Sequence, residues 1–122
     1  MAQQVPTTVR VTLNHTVQRP LENISAPLRA DELWIEYPNE AGTATANVKV
    51  GWSQSDGTKP STIDSSNQIF PVVPGGQRVI EQTTGSKHRK DFRHVCLLGV
   101  AGDDGQYVYL TYWTSANDYE PV

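Results

Sequence analysis

Two groups of residues in this sequence are of types that can carry metal or acid–base chemistry, and the first is a histidine–cysteine pair. His94 and Cys96 are two residues apart, so on a strand both side chains point to one face. A zinc site needs three or four converging ligands, and His15 and His88 lie far apart in different sequence contexts. The spacing therefore predicts no metal site. Cys96, the single cysteine, fits a small buried hydrophobe, with a reactive thiol as the alternative.

Carboxylates form the second group. Asp103, Asp104 and Gly105 could begin a calcium loop, but the further oxygen ligands at alternating positions and the closing Glu are missing. A tight type I′ turn accounts for the same residues. Glycoside chemistry needs two carboxylates facing each other across a cleft, and the sequence does not place any pair together. The available carboxylates are Glu32, Glu36, Asp64 and Glu81. We therefore expect no catalytic residue, no cofactor and no metal, and we expect that the chain is not an enzyme.

Aromatic and basic residues indicate contact surfaces instead. Trp34 alternates with apolar neighbours, and Trp113 ends another apolar segment. Exposed Trp residues are enriched at protein interfaces, and they also stack on sugar rings in carbohydrate-binding modules. If the alternation is misassigned by one residue, Trp34 belongs to the core. The basic cluster 87–90 is typical of a solvated loop, or alternatively of a surface that docks on an acidic neighbouring subunit.

Hydropathy that alternates with a period of two predicts the strands that carry these residues. The pattern places Leu33, Ile35 and Tyr37 on one face and Trp34 on the other. Strands are predicted over 9–13, 33–37, 47–52 and 107–113, with two more inside 67–82 and one over 92–100. The fold class is therefore all-β, an antiparallel β-sandwich of six to eight short strands, jelly-roll-like or a small barrel.

Turn residues divide the strands from one another. Pro74, Gly75 and Gly76 separate two apolar runs, because Pro presets φ and Gly adopts a positive φ without strain. Residues 83–91 are predicted to form an exposed hairpin loop. The segment 92–100 is the most continuously apolar, so we expect it in the middle of a sheet with both faces covered. The tight turn at 103–105 predicts that 107–113 is its antiparallel partner.

Length and composition limit the domain organisation and the partners. A chain of 122 residues predicts one domain over 1–122, with residues 1–8 as an arm and 114–122 as a tail. A net charge of −3 argues against a nucleic-acid partner. The apolar runs are too short for a membrane helix, and no signal peptide is visible, so we expect no membrane partner and synthesis in a reducing cytoplasm.

The order of these segments resembles a family of small bacteriophage structural proteins. The shared pattern is a strand ending in glycine, a loop with Ser, Thr and Asp, a short apolar segment with a Pro-Gly turn, and a final strand pair. It covers residues 32–113, while residues 53–60 and the N-terminal region depart from it. The matching pieces are Val48 to Gly51, Ser61 to Asp64, Ile69 to Gly76, Arg78 to Ile80, Phe92 to Val100 and Tyr107 to Tyr112.

The resemblance implies a capsid decoration (cement) protein or a head or tail fibre component. Such a protein would sit on the virion, bind the major capsid protein and stabilise the head by bridging coat subunits, commonly as a homotrimer. The alternative is a carbohydrate-binding or tail-associated adhesion module. The contact candidates are Val5, Pro6, Arg10, Trp34, Lys87, Arg89 and Trp113.

Overall fold

Alternating apolar residues form seven strands in the computed structural model, which describes residues 5–82 and 89–114. Short 3₁₀ turns cover Phe92–His94 and Ala101–Asp103. The strands are β1 Val5–Thr12, β2 Glu32–Glu36, β3 Val48–Trp52, β4 Gln68–Val72, β5 Gln77–Glu81, β6 Val95–Leu98 and β7 Tyr107–Thr114.

The strands form two antiparallel sheets. The four-stranded sheet has the order β1-β7-β2-β5, and the three-stranded sheet has the order β4-β3-β6. This arrangement confirms the predicted all-β class and strand number, and it is a two-sheet sandwich rather than a closed barrel. The predicted phases of β2, β3 and β7 place their alternate residues on the inner faces, where they pack together. The inner-face residues include Leu33, Ile35, Val48, Val50, Val95, Leu97, Val108 and Leu110, all nearly inaccessible to solvent.

A turn at residues 73–76 joins the two sheets. The Gly76 amide donates to the Val73 carbonyl at 2.8 Å, and Gly75 has a φ of +80°, as in a type II turn with Pro at its second position. Hydrogen bonds also join this turn to Tyr37, which follows β2. The predicted turn is thus confirmed, but it connects strands of different sheets and does not close a hairpin.

The predicted pairing of segment 92–100 with segment 107–113 is wrong. Strand β7 lies between β1 and β2, whereas β6 pairs with β3 at the edge of the other sheet. The predicted position of this segment in the middle of a sheet is also wrong, because β6 is an edge strand, but both of its faces are covered, as its composition predicts. The reason for the error is the turn before β7: Asp104 has a φ of −54° and Gly105 a φ of +91°, so the turn is type II and not type I′.

Buried Asp103 holds this crossover in place. Its carboxylate accepts hydrogen bonds from the Thr45 amide and hydroxyl at 2.8 and 2.9 Å, and from the Ala46 amide at 3.1 Å. Desolvation raises the pKa of Asp103, but these hydrogen bonds outweigh it and leave the pKa below its ordinary value. The pKa of Tyr37 is raised because its hydroxyl is desolvated and because Asp103 is negatively charged.

The predicted arm overlaps a strand. Residues 5–8 form the first half of β1 and pair with β7, with Val5 opposite Thr114 and Pro6 opposite Trp113. Pro6 is compatible with this strand because β1 is at the edge of its sheet, where an amide donor is not needed on the outer side. Residues 1–4 and 115–122 lie outside the described residues, as do 83–88 of the predicted hairpin loop.

Candidate functional site

The outer face of the four-stranded sheet, here called the open face, carries several aromatic side chains. Its residues alternate with the inner-face residues of β1, β2, β5 and β7. Trp34 of β2 lies beside Thr111 of β7 and Val79 of β5. The open face consists of Pro6, Thr8, Arg10, Thr12, Glu32, Trp34, Glu36, Gln77, Val79, Glu81, Tyr107, Tyr109, Thr111 and Trp113.

Two indole rings form the centre of the open face. Trp34 and Trp113 are half-buried, and their ring centroids are 6.1 Å apart with the planes at 72°. This edge-to-face geometry is a favourable aromatic contact. The Trp34 Nε1 group donates to Glu32 Oε1 at 3.1 Å, which orients the ring. Trp34 therefore lies on the outer face, as the alternation predicts, and not in the core.

Two tyrosines extend the aromatic surface towards the other end of the sheet. The Arg10 guanidinium carbon lies 4.5 Å from the centre of the Tyr107 ring, a cation–π contact. The Tyr109 hydroxyl lies 3.3 Å from Glu40 Oε1. An open cleft of about 330 Å³ between Glu40 and Tyr107 continues the surface beyond the strand ends. Tyr107 is the aromatic residue in its lining.

The charge of the open face is negative. Glu32, Glu36 and Glu81 lie on it, against the single cation of Arg10. Arg10 is directed towards Tyr107. Among the described residues, it forms no ion pair with the carboxylates around the two tryptophans. A partner surface with lysine or arginine side chains would complement these charges.

Most of the predicted contact residues come together here. Pro6, Arg10, Trp34 and Trp113 share the open face, and Val5, 56% exposed, lies at the start of the edge strand. Arg89 is not on this surface. Only 11% of its side chain is exposed, because its guanidinium pairs with Asp31 at 2.6 Å and donates to the Arg29 carbonyl. Lys87 lies outside the described residues.

A second cleft lies at the end of the three-stranded sheet, and no local sequence pattern predicts it. Here the His94 Nδ1 atom is 3.1 Å from Ser53 Oγ, although the residues are 41 positions apart. Ser53 Oγ also donates to the His94 carbonyl at 3.2 Å and accepts from Arg19 Nη1 at 3.2 Å. These contacts occupy the hydroxyl, and no carboxylate orients the imidazole in the described residues, so the pair lacks the arrangement of an activated nucleophile.

Cys96 is fully buried, and its thiol lies 3.6 Å from the carbonyl oxygen of His94. It packs with Val17 and Ile63 on the outer face of the three-stranded sheet. Desolvation raises the pKa of its thiol, which opposes formation of a reactive thiolate. The buried location agrees with the small-hydrophobe interpretation. Within residues 5–82 and 89–114, no group of three or more histidine, cysteine, aspartate or glutamate side chains is placed to hold a metal ion.

Comparisons with family models, curated proteins and solved structures found no match to this chain. The resemblance to phage structural proteins therefore stays a prediction. In the described part of the chain, no helix has the length and apolarity needed to cross a bilayer.

Proposed function

We propose that the protein is a binding module that attaches to other protein subunits through its open face. The observation that carries this proposal is the cluster of Trp34, Trp113, Tyr107 and Tyr109 on one outer sheet face. Trp and Tyr anchors at the centre of a contact supply most of the binding energy in protein interfaces. The setting we propose is the surface of a bacteriophage capsid, where a homotrimer would bridge units of the major capsid protein and stabilise the head.

The negative charge of the open face supports a partner rich in lysine and arginine. Glu32 and Glu36 flank Trp34 along β2, and Glu81 is opposite Glu32 on β5. Cationic side chains of a partner would pair with these carboxylates and would also stack on the indole rings. Such contacts steer association and weaken as salt increases.

Co-sedimentation tests this proposal. The probe is the capsid assembled from the major capsid protein encoded in the same genome, and the variants are Trp113→Ala and, as control, Lys49→Ala. Lys49 is exposed on β3 of the other sheet. We expect saturable binding, a loss of affinity of about 30-fold for Trp113→Ala, and no change for the control. Absence of binding, or equal affinity of all three proteins, would contradict the proposal.

Carbohydrate binding is a second candidate, because the Trp34–Trp113 pair lies among polar groups. The 72° angle between the rings argues for protein contact instead, since two rings at that angle do not form one flat platform for sugars. A glycan array with Trp34→Ala and Trp113→Ala separates the two. Saturable glycan binding that either substitution abolishes would favour this candidate, and an empty array with intact capsid binding would exclude it.

A further inference from the structure

The second cleft, at the end of the three-stranded sheet, has a different character from the open face. It has a volume of about 320 Å³, at the lower end of the range for small-ligand sites. Its walls come from the end of β3, the loop 53–57 and the segment 90–94. The lining includes Trp52, Ser53, Gln54, Ser55, Lys90 and His94.

The loop that forms one wall is held in a fixed shape. The Gln54 amide donates to the Thr58 carbonyl at 2.9 Å, and the Gly57 amide donates to the Gln54 carbonyl at 2.8 Å. Arg19 Nη1 binds the Gly57 carbonyl at 2.7 Å from behind. A wall that is fixed before binding lowers the entropy lost on association, so the cleft is preorganised for a ligand.

Lys90 provides a cationic group in the lining of this cleft, although the protein as a whole is negatively charged. Lys90 Nζ lies 4.7 Å from the centre of the Trp52 ring, and Lys90 has no ion pair among the described residues. The one carboxylate in the lining, Asp91, is already neutralised. Its oxygens accept from Arg93 Nε at 2.9 Å and from the Leu28 amide at 2.9 Å. The ammonium of Lys90 is therefore available to an anion.

Polar groups that could bind hydroxyls surround the ammonium. The side chains of Gln54 and Ser55 are exposed and make no hydrogen bond within the described part of the chain. They offer both donors and acceptors. We infer that this cleft binds a small hydroxylated anion, a sugar-sized molecule whose carboxylate or phosphate group pairs with Lys90 while its hydroxyls contact Gln54 and Ser55.

An NMR titration of the ¹⁵N-labelled full chain tests this site. The probes are glucuronate for the carboxylate, glucose 6-phosphate for the phosphate, and glucose as the neutral control. We expect saturable shifts of the Gln54, Ser55 and Gly57 amides with one or both anions and none with glucose. Which anion binds more tightly identifies the preferred acidic group. Increasing sodium chloride should weaken binding.

Substitutions at Lys90 separate the charge from the fold. Lys90 is exposed, so Lys90→Gln should fold normally and should weaken binding of the anions about tenfold. Lys90→Arg keeps the positive charge and should bind the anions as tightly as the wild type. Lys49→Gln, the control, should also have wild-type affinity. Absence of saturable shifts, equal binding of glucose, or unchanged affinity of Lys90→Gln would overturn the inference. Trp113→Ala leaves this cleft intact. Capsid co-sedimentation can therefore fail while the NMR titration shows anion binding, and the titration can fail while the capsid is bound.

Discussion

The outer faces of the two sheets differ in what covers them. On the three-stranded sheet, segments of the chain itself pack on the outer face, where Val17 and Ile63 bury Cys96. On the four-stranded sheet, the outer face presents half-buried indoles and tyrosines instead. One face thus contributes to stability, and we propose that the other binds a partner.

The close contact on the covered face depends on Gly51. A Cβ atom at this position would lie 2.6 Å from the Asn67 carbonyl oxygen and 3.0 Å from Ile63 Cγ2. The loop over this face is itself closed by hydrogen bonds, with Asp64 accepting from the Ser66 amide at 2.9 Å and Asn67 accepting from the Asp64 amide at 2.8 Å. The covering loop therefore rests directly on the β3 backbone.

The largest effect is expected on the covered face. Ile63 is fully buried, so Ile63→Ala should lower the free energy of unfolding by about 3 kcal/mol, because it leaves a cavity over Cys96. Urea denaturation measures this loss. Val73→Ala is the matched control, since Val73 is 54% exposed and should change stability by less than about 0.5 kcal/mol. Equal losses of unfolding free energy for the two variants would contradict the buried position of Ile63.

Asp103 tests the connection between the two sheets. Asp103→Asn should lower stability by about 2 kcal/mol at neutral pH, because the amide cannot accept all the hydrogen bonds from Thr45 and Ala46. Asp104→Asn, an exposed neighbour, should have a much smaller effect. Urea denaturation of both variants and of the wild type provides the comparison.

The same variant has a pH signature. The folded-state pKa of Asp103 is below its ordinary value of 3.8, so its stabilising contribution is present above pH 3.8 and is lost as the pH falls through the folded pKa. Stability of the wild type should therefore fall in acid more steeply than that of Asp103→Asn. Asp91 also has a lowered pKa, so both proteins should lose some stability in acid through protonation of Asp91. Parallel curves would contradict the assignment.

Truncation of a side chain on the open face should weaken binding more than it weakens folding. Trp113→Ala should lower the free energy of unfolding by only about 1 kcal/mol, the loss of one edge-to-face contact with Trp34. Its effect on binding should be larger than its effect on folding, whereas Ile63→Ala should affect folding alone. Thermal unfolding and the capsid assay, performed on both variants, measure the two effects. A loss of stability for Trp113→Ala as large as for Ile63→Ala would make Trp113 a core residue.

Substitutions at two arginines should give the smallest difference in stability. Arg10 lies over exposed Tyr107, so Arg10→Ala should change stability by about 0.5 kcal/mol or less. The Arg78 guanidinium carbon lies 4.6 Å from the ring centre of buried Phe70, so this cation–π contact is less exposed to solvent. Arg78→Ala should therefore be the more destabilising of the two by urea denaturation, and the reverse order would contradict the assignment of inner and outer faces.

Local sequence predicted what depends on alternation and turn residues. The inward phase of Leu33 and Ile35, the outward position of Trp34 and the turn at Gly75 all follow from patterns within a few residues. The pairing of β6 with β3 does not, because an apolar strand fits several neighbours equally well and the type II turn at Gly105 redirects the chain.

In the candidate sites too, local sequence predicts some features, while others depend on tertiary structure. The four open-face residues Pro6, Arg10, Trp34 and Trp113 were identified by type, but only the register of β1, β7 and β2 brings them together. The charge pattern places Arg89 in an exposed cluster, because it contains no information about the partner Asp31, which is distant in sequence. The contact between Ser53 and His94 likewise depends on tertiary structure.

Hydroxyl-radical footprinting of the capsid-bound protein tests the role of the open face most directly, because the radicals oxidise exposed aromatic side chains. Binding should protect Trp113, Tyr107 and Tyr109 from oxidation, while Trp52, on the other sheet, should react as in the free protein. Protection of Trp52 with unchanged oxidation of Trp113 would contradict the proposed role of the open face.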